Sequence, residues 1–372
     1  MLRIIIRVDA STVIGSGHMM RCLTLAERFR QMGHHVSFIM RAHCGSMEHV
    51  VDKQDFSYKM LPAPMHYDGD GYAAWLGVTQ CADAADTVAS IRRTVCDLMV
   101  VDHYALDRTW EEAIRPYARR IFVIDDLANR RHSCDFLLDA NAGAEQSDKY
   151  AGLLSPNCHA FLGLSYLLLR QEFYEAGDKS DALTKASSQE QTVFICFGGS
   201  DSSNETMRTL RILAKLPQRI NAHIVLGASN PYRSSVEDFC SVHHWQVYCQ
   251  IDYVGRLMRD SDCAIGAGGT MTWERCYLGL PTLVVAVAEN QREDAYLYDR
   301  MGIISYAGYC TEITDAEYET AIISFLDDRQ RQESLRVRGR AVFENGRVDE
   351  MLEEVTASAA SWEIQSAPYT AK

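Results

Sequence analysis

Short apolar runs rich in branched residues recur along the chain, and amphipathic stretches with helical spacing separate them. This alternation predicts parallel strands that are joined by right-handed helical crossovers. The predicted strands are 2–8, 35–41, 57–61, 97–101, 120–124 and 136–138 in the first half, and 192–197, 223–226, 262–265 and 282–287 in the second. We therefore expect an α/β protein with two doubly wound Rossmann-like domains that face a cleft.

A polar stretch with few apolar residues, 177–191, interrupts the alternation and predicts an interdomain linker. The predicted N-terminal domain is then 1–176, and the predicted C-terminal, nucleotide-binding domain is 192–360. Residues 361–372 are predicted to be a frayed tail.

Two further segments are assigned from local composition. Residues 62–72 are rich in proline, glycine and aspartate and are predicted to form a loop. Two helices, 315–326 and 330–343, are predicted to close the chain.

Composition is that of a soluble protein, since 47% of the 372 residues are hydrophobic and 23% are charged. No apolar run is long enough to span a membrane, and the first residues enter a strand at once, so we expect neither a span nor a signal peptide. Twelve cysteines are scattered without a C-x-x-C pair, which predicts reduced thiols and a cytoplasmic protein.

The charge pattern argues against several partners. The net charge is −13, and the arginines near 329–347 alternate with glutamates, as on a solvated helix face, so no nucleic acid is expected. Histidines and cysteines do not occur at metal-ligand spacing, so we predict no metal and no cofactor. We expect a monomer.

A glycine turn after the first strand carries the first candidate site. Gly15 and Gly17 precede His18, which is predicted to lie between the end of the first strand and the start of the first helix. This position is at the edge of the sheet where α/β proteins bind ligands. A histidine there can also simply cap the helix. The third glycine of a dinucleotide fingerprint is replaced by Met20, so a nicotinamide or flavin site is not expected.

Two glycine loops in the second half carry the second candidate site. Gly198–Gly199–Ser200 and Gly268–Gly269–Thr270 each follow a predicted strand. Their backbone amides are suited to a diphosphate, although neither loop has the lysine of a Walker A motif, and tight packing of helix on sheet is an alternative. Glu274 is placed to accept hydrogen bonds from a ribose, or only to favour the helix dipole.

Six motifs span about residues 1–310: R-x-D-x(4)-IGSGH-x-x-R from Arg7, VDHYALD from Val101, FGGSD from Phe197, GAGGTMTWE from Gly266, GLPTLVV from Gly279 and ENQ from Glu289. Together they resemble the hydrolase family of pseudaminic acid biosynthesis, which acts on UDP-2,4-diacetamido-2,4,6-trideoxy-β-L-altropyranose. The second half is also similar to the glycosyltransferase that makes lipid II.

The resemblance implies a glycosyltransferase-B-like fold and metal-independent hydrolysis of a UDP-sugar to UDP and free sugar, with inversion, in a pathway that serves flagellin glycosylation. His18 matches the catalytic histidine, and Glu274 matches the ribose carboxylate. Tyr104 and Asn290 match substrate contacts, and we add Gln291, Gly15 and Gly17 to that set. Three other functions stay open: an inverting UDP-sugar glycosyltransferase, a sugar-nucleotide 2-epimerase and a silent nucleotide-binding protein. Either Asp9 or Asp102 could assist His18.

Overall fold

A computed structural model of the chain describes residues 1–11, 13–64, 69–146, 148–177, 190–217, 219–344 and 346–361, without the side chains of residues 190 and 290. The chain divides into two compact units. Unit 1 contains Met1–Leu168 and the segment from Gly346 onward, and unit 2 is Leu169–Asn345. Most of the predicted linker and nearly all of the predicted tail fall outside the described residues.

Unit 1 is built on a seven-stranded sheet with the order β3-β2-β1-β4-β5-β6-β7, and every neighbouring pair is parallel. Its strands are β1 (Arg3–Val8), β2 (His35–Arg41), β3 (Ser57–Leu61), β4 (Cys96–Asp102), β5 (Ala118–Ile124), β6 (Phe136–Asp139) and β7 (His159–Leu162). The helices between them are α1 (Gly17–Gln31), α2 (Glu48–Lys53), α3 (Tyr72–Leu76), α4 (Gln80–Ser90) and α5 (Arg108–Ile114).

Unit 2 has a six-stranded parallel sheet with the order β10-β9-β8-β11-β12-β13. Its strands are β8 (Glu190–Cys196), β9 (Arg219–Leu226), β10 (Gln246–Cys249), β11 (Cys263–Ala267), β12 (Thr282–Ala286) and β13 (Ser305–Tyr309). Its helices are α6 (Gln171–Gly177), α7 (Glu205–Leu213), α8 (Arg233–His243), α9 (Val254–Arg259), α10 (Met271–Tyr277), α11 (Arg292–Met301), α12 (Asp315–Asp327) and α13 (Arg329–Ala341).

Both sheets reverse direction in strand order at one place, between β1 and β4 in unit 1 and between β8 and β11 in unit 2. This is the doubly wound arrangement, in which ligands bind at the carboxyl ends of the strands that flank the reversal. The predicted α/β class with two Rossmann-like domains is therefore confirmed. Most of the predicted site residues follow β1, β4, β8 and β11, which are the four strands at the two reversal points, and Asn290 and Gln291 follow the next strand, β12.

Apolar side chains of the unit 1 sheet alternate between its two faces, as the strand period of two requires. Ile4 and Ile6 pack with helix α1 on one face, and Ile5 and Met99 pack with helices α4 and α5 on the other. Both faces are covered, which explains why its central strands read as continuous apolar runs rather than alternating ones.

The last described helix, α14 (Val348–Ala360), belongs to unit 1, whereas the sequence boundary at 360 assigned it to the C-terminal domain. Val348, Met351 and Val355 on one face of the helix are buried in the same cluster as Ile4. The backbone N–H of Arg347 donates to the Ser165 carbonyl at 2.6 Å and fixes the start of the helix. The expectation that two helices close the chain was wrong, because this third helix follows them.

Candidate active site

His18 lies in the first turn of helix α1, directly after the glycine turn. Gly15 has φ +85°, a conformation that favours glycine, and its N–H donates to the Ser11 carbonyl at 2.8 Å. Gly17 opens the helix, and a Cβ atom built there would meet nothing within 4 Å. The turn therefore sends the chain from β1 into α1 with open space beside the histidine.

Asp102, the last residue of β4, holds the His18 ring in place. Its Oδ1 lies 2.5 Å from His18 Nδ1, and its side chain is fully buried. Burial by itself raises the pKa of the Asp102 carboxyl, but the charges of Arg21 and His18 outweigh this effect and hold that pKa well below its usual range. Because an ionised carboxylate only accepts hydrogen bonds, Nδ1 carries the ring proton, and in the neutral ring Nε2 is then unprotonated.

Arg21, one turn after His18 on α1, clamps the same carboxylate. Its Nε donates to Asp102 Oδ2 at 2.5 Å, and its Nη2 donates to Oδ1 at 2.7 Å. Its Nη1 also reaches Asp126 Oδ2, which follows β5, at 3.2 Å. This bidentate contact fixes the orientation of Asp102 and so, indirectly, the orientation of the His18 ring.

An aromatic cluster covers one side of His18. The Tyr104 ring lies edge-on at 4.5 Å from the His18 ring, and the Trp75 ring lies at 6.2 Å. Trp75 stacks on Tyr104 at 5.9 Å, and Tyr72 packs against both rings. Burial raises the pKa of Tyr104 above its usual range, and the nearby Asp126 raises it further, so the phenol keeps its proton and can donate it in a hydrogen bond.

Asp9 belongs to a different cluster from His18. Its carboxylate accepts from Arg7 Nη1 at 2.6 Å and from the backbone N–H of Arg41 at 2.7 Å, and it lies 3.3 Å from His103 Nε2. Both arginines also pair with the buried Asp83. The structure therefore favours Asp102 over Asp9 as the partner of His18, and gives Asp9 a structural role in the core.

The two glycine loops of unit 2 follow neighbouring strands. Cys196 at the end of β8 pairs with Gly266 in β11, so the loops start side by side. Gly198 has φ +86° and Gly269 has φ +90°, which only glycine adopts readily. Gly199 and Ser200 are exposed in the first loop, and Thr270 is exposed in the second. Both loops thus present backbone at one edge of the sheet.

Gln291 lies beside the second loop and makes one contact that shapes it. Its Oε1 accepts from the Val287 N–H at 3.1 Å, and a Cβ atom built on Gly268 would lie 3.4 Å from the glutamine side chain. Residues Glu289–Gln291 form a 3-10 turn after β12. The side chain of Asn290 lies outside the described residues, so its predicted contact with the substrate stays a prediction.

Glu274 is buried in helix α10, and its Oε1 accepts from Arg170 Nε at 2.8 Å. Arg170 also pairs with Glu172 on α6. A ribose bound at Glu274 would therefore share the carboxylate with Arg170. The sequence did not reveal this partner, because Arg170 is 104 positions away from Glu274.

Sequence reasoning predicted His18, Tyr104 and the glycine loops as site residues, but it did not predict the side chains that contact His18 and Tyr104 in the structure. Arg21, Trp75 and Tyr72 were not assigned to the site, although the one-turn spacing of His18 and Arg21 was a usable signal. Within the described ranges, no group of three or more histidine, cysteine or carboxylate residues is arranged to hold a metal ion. The same part of the chain contains no helix that is long and apolar enough to cross a membrane.

Solved structures with a similar fold define the structural class of the chain. The chain matches the crystal structure of the spinosyn rhamnosyltransferase SpnG complexed with thymidine diphosphate, with a TM-score of 0.62, 13% identity, and coverage of 95% of this chain and 100% of that one. The likeness shows a glycosyltransferase-B-like fold and, at this identity, the fold alone.

Sequence comparisons then give the particular relatives. The chain is 26% identical over 296 residues to the UDP-2,4-diacetamido-2,4,6-trideoxy-β-L-altropyranose hydrolase of Campylobacter jejuni, which covers 79% of this chain and 95% of the relative. It is 27% identical over 307 residues to the uncharacterized protein MJ1062 of Methanocaldococcus jannaschii, 80% of this chain but only 58% of that protein's length. Residues 183–347 match the family described as a protein of unknown function (DUF354). The resemblance to the hydrolase is thus confirmed.

Proposed function

We propose that the chain is a UDP-sugar hydrolase that cleaves UDP-2,4-diacetamido-2,4,6-trideoxy-β-L-altropyranose to UDP and the free sugar, in pseudaminic acid biosynthesis. The observation that carries the proposal is the His18–Asp102 pair at the strand reversal of unit 1, in a chain similar to the Campylobacter jejuni hydrolase. A cytoplasmic, monomeric protein without nucleic-acid partners, in a pathway that serves flagellin glycosylation, completes the proposal.

His18 acts as the general base in this mechanism. With its Nδ1–H held by Asp102, its Nε2 takes a proton from a water molecule that attacks the anomeric carbon, and Asp102 stabilises the imidazolium that forms. The Asp102 carboxylate does not take up the proton itself in this mechanism, because Arg21 keeps that carboxylate ionised. A single attack of this kind inverts the anomeric configuration.

The glycine loops of unit 2 bind the UDP portion. In the proposal, amides of Gly198–Gly199–Ser200 and Gly268–Gly269–Thr270 donate to the diphosphate and stabilise the charge that develops on it as it leaves. Glu274 binds the ribose together with Arg170. Gly15, Gly17, Tyr104, Asn290 and Gln291 contact the sugar portion, and the Trp75 and Tyr104 rings offer apolar faces to a deoxy sugar.

A product assay without any acceptor tests the function. We expect purified protein, incubated with the UDP-diacetamido sugar, to release UDP and free sugar in equal amounts, while UDP-glucose is turned over poorly. A sugar-nucleotide 2-epimerase would instead return a UDP-sugar inverted at C2. Intact substrate after long incubation, with UDP released only when an acceptor alcohol is added, would favour the alternative, an inverting UDP-sugar glycosyltransferase with the fold of SpnG.

We also expect turnover to persist in excess EDTA. The part of the chain that the structure describes holds no cluster suited to a metal ion, and in the proposal the loop amides neutralise the diphosphate. The measurement compares rates before and after chelation, followed by addition of Mg²⁺ or Mn²⁺. If chelation abolished the rate and either ion restored it, the role given to the amides would be wrong.

A further inference from the structure

Arg275 in helix α10 is a fully buried cation that has no carboxylate partner among the described residues. Its Nη2 donates to the Ala267 carbonyl at 2.6 Å and lies 3.2 Å from Thr272 Oγ1. Its Nε and Nη1 find no acceptor in the described part of the chain. Burial lowers the pKa of this guanidinium below its ordinary value.

Other buried arginines of this chain are paired, as physical chemistry requires. Arg7 lies 2.6 Å from both Asp9 and Asp83, and Arg41 lies 2.8 Å from Asp83. A charge taken out of water without a counter-charge is expensive, and breaking such a pair is strongly destabilising. The carboxylate adjacent in sequence to Arg275, Glu274, is held by Arg170 instead. Among the residues that the structure describes, Arg275 is therefore a buried positive charge without a carboxylate partner.

The position of the guanidinium indicates where that anion binds. A Cβ atom built on Gly266 would lie 2.7 Å from Arg275 Nη1 and 2.3 Å from the Cys196 carbonyl. Gly266 and Cys196 are paired residues at the carboxyl ends of β11 and β8. The two glycine loops begin only two residues beyond them, at Gly268 and Gly198. The guanidinium thus lies at the paired strand ends from which both loops begin.

We propose that Arg275 is the buried counter-charge for the diphosphate of the nucleotide, which rests on the function proposed above. The loop amides contact the phosphate oxygens, and Arg275 acts through them as a positioning residue. It holds the Ala267 carbonyl and supplies a positive potential from a region of low dielectric, where a charge is weakly screened. Binding of UDP brings a negative charge close to Arg275, which has no carboxylate partner in the described part of the chain.

Arg275→Met tests this proposal by separating binding from stability. We expect its affinity for UDP to fall by about tenfold to a hundredfold, the size of a charge interaction at partial screening. Affinity for uridine, which carries no phosphate, should be unchanged. The melting temperature of the ligand-free protein should not fall, because an apolar side chain replaces an unpaired buried charge. Arg275→Lys should recover part of the UDP affinity.

Arg41→Met is the matched control, since Arg41 is equally buried but is paired with Asp83. It should lower the ligand-free melting temperature and leave UDP affinity unchanged. If Arg275→Met bound UDP as well as the wild type, or lost UDP and uridine affinity alike with a lower melting temperature, the inference would be overturned while the proposed function stood. A wild-type protein that does not bind UDP would overturn both.

Discussion

Replacing His18 with asparagine is expected to reduce kcat by about 10²–10⁴-fold, the usual contribution of a general base. Asparagine keeps a polar group of similar reach, but it has no basic nitrogen to take the proton from water. Because His18 contacts the attacking water and not the diphosphate in the proposed mechanism, the affinity for UDP should be nearly unchanged. Initial rates at saturating UDP-sugar, with UDP affinity from calorimetry, provide the two measurements.

His132→Asn is a suitable control for that substitution. His132 is also a buried histidine of unit 1 whose Nδ1 meets a carboxylate, Glu111, at 2.6 Å, but it is not part of the proposed site. This control should lower the melting temperature and leave kcat of the folded protein intact. An asparagine at position 18 that retained activity within about threefold of wild type would rule out His18 as the base.

Hydrolysis in H₂¹⁸O is expected to leave the released UDP free of label. Water that attacks phosphorus would place ¹⁸O on UDP, and that route usually relies on a metal ion or a cluster of cations. Water that attacks the anomeric carbon places ¹⁸O on the sugar, and needs a base there and a stabilised leaving group. His18 with Asp102 supplies the base, and neither glycine loop contains a lysine.

Mass spectrometry of UDP is the decisive readout, because the anomeric oxygen of a free sugar also exchanges with water when the ring opens. A control in which the products alone are incubated in H₂¹⁸O measures that exchange. Nuclear magnetic resonance of the earliest product should show the inverted anomer before mutarotation. Label in UDP would contradict both carbon–oxygen cleavage and the role of His18.

The sequence predicted the central strands of the two sheets better than the edge strands. The central strands of both sheets are continuous apolar runs, so they were found, and so was the edge strand β3, whereas the other edge strands, β7, β10 and β13, are short or mixed in polarity and were missed. Edge strands are covered less fully and so need fewer apolar residues. Helix α14 was missed although Val348, Met351 and Val355 recur at helical spacing, which was a usable signal.

The position of a candidate site residue could be predicted only where the course of the backbone alone determines it. His18, Tyr104 and the glycine loops are placed by strand ends, which the pattern of strands fixes. Asp9 and Asp102 end neighbouring strands at the same edge, so only side-chain direction distinguishes them, and that direction depends on packing. Trp75 lies on α3, which begins at the end of the segment predicted as a loop, and Arg275 reads in sequence as an ordinary helical residue.

The placement of α14 has a consequence for synthesis on the ribosome. Unit 2 is one continuous segment, Leu169–Asn345, so all of its strands are available as soon as that segment has emerged. The sheet of unit 1 is made first, yet α14, which helps to bury one of its faces through Met351 and Val355, is translated only after the whole of unit 2. Unit 1 therefore completes its core only after unit 2 has been translated, and until then it exposes the apolar surface that α14 covers, which a chaperone would recognise.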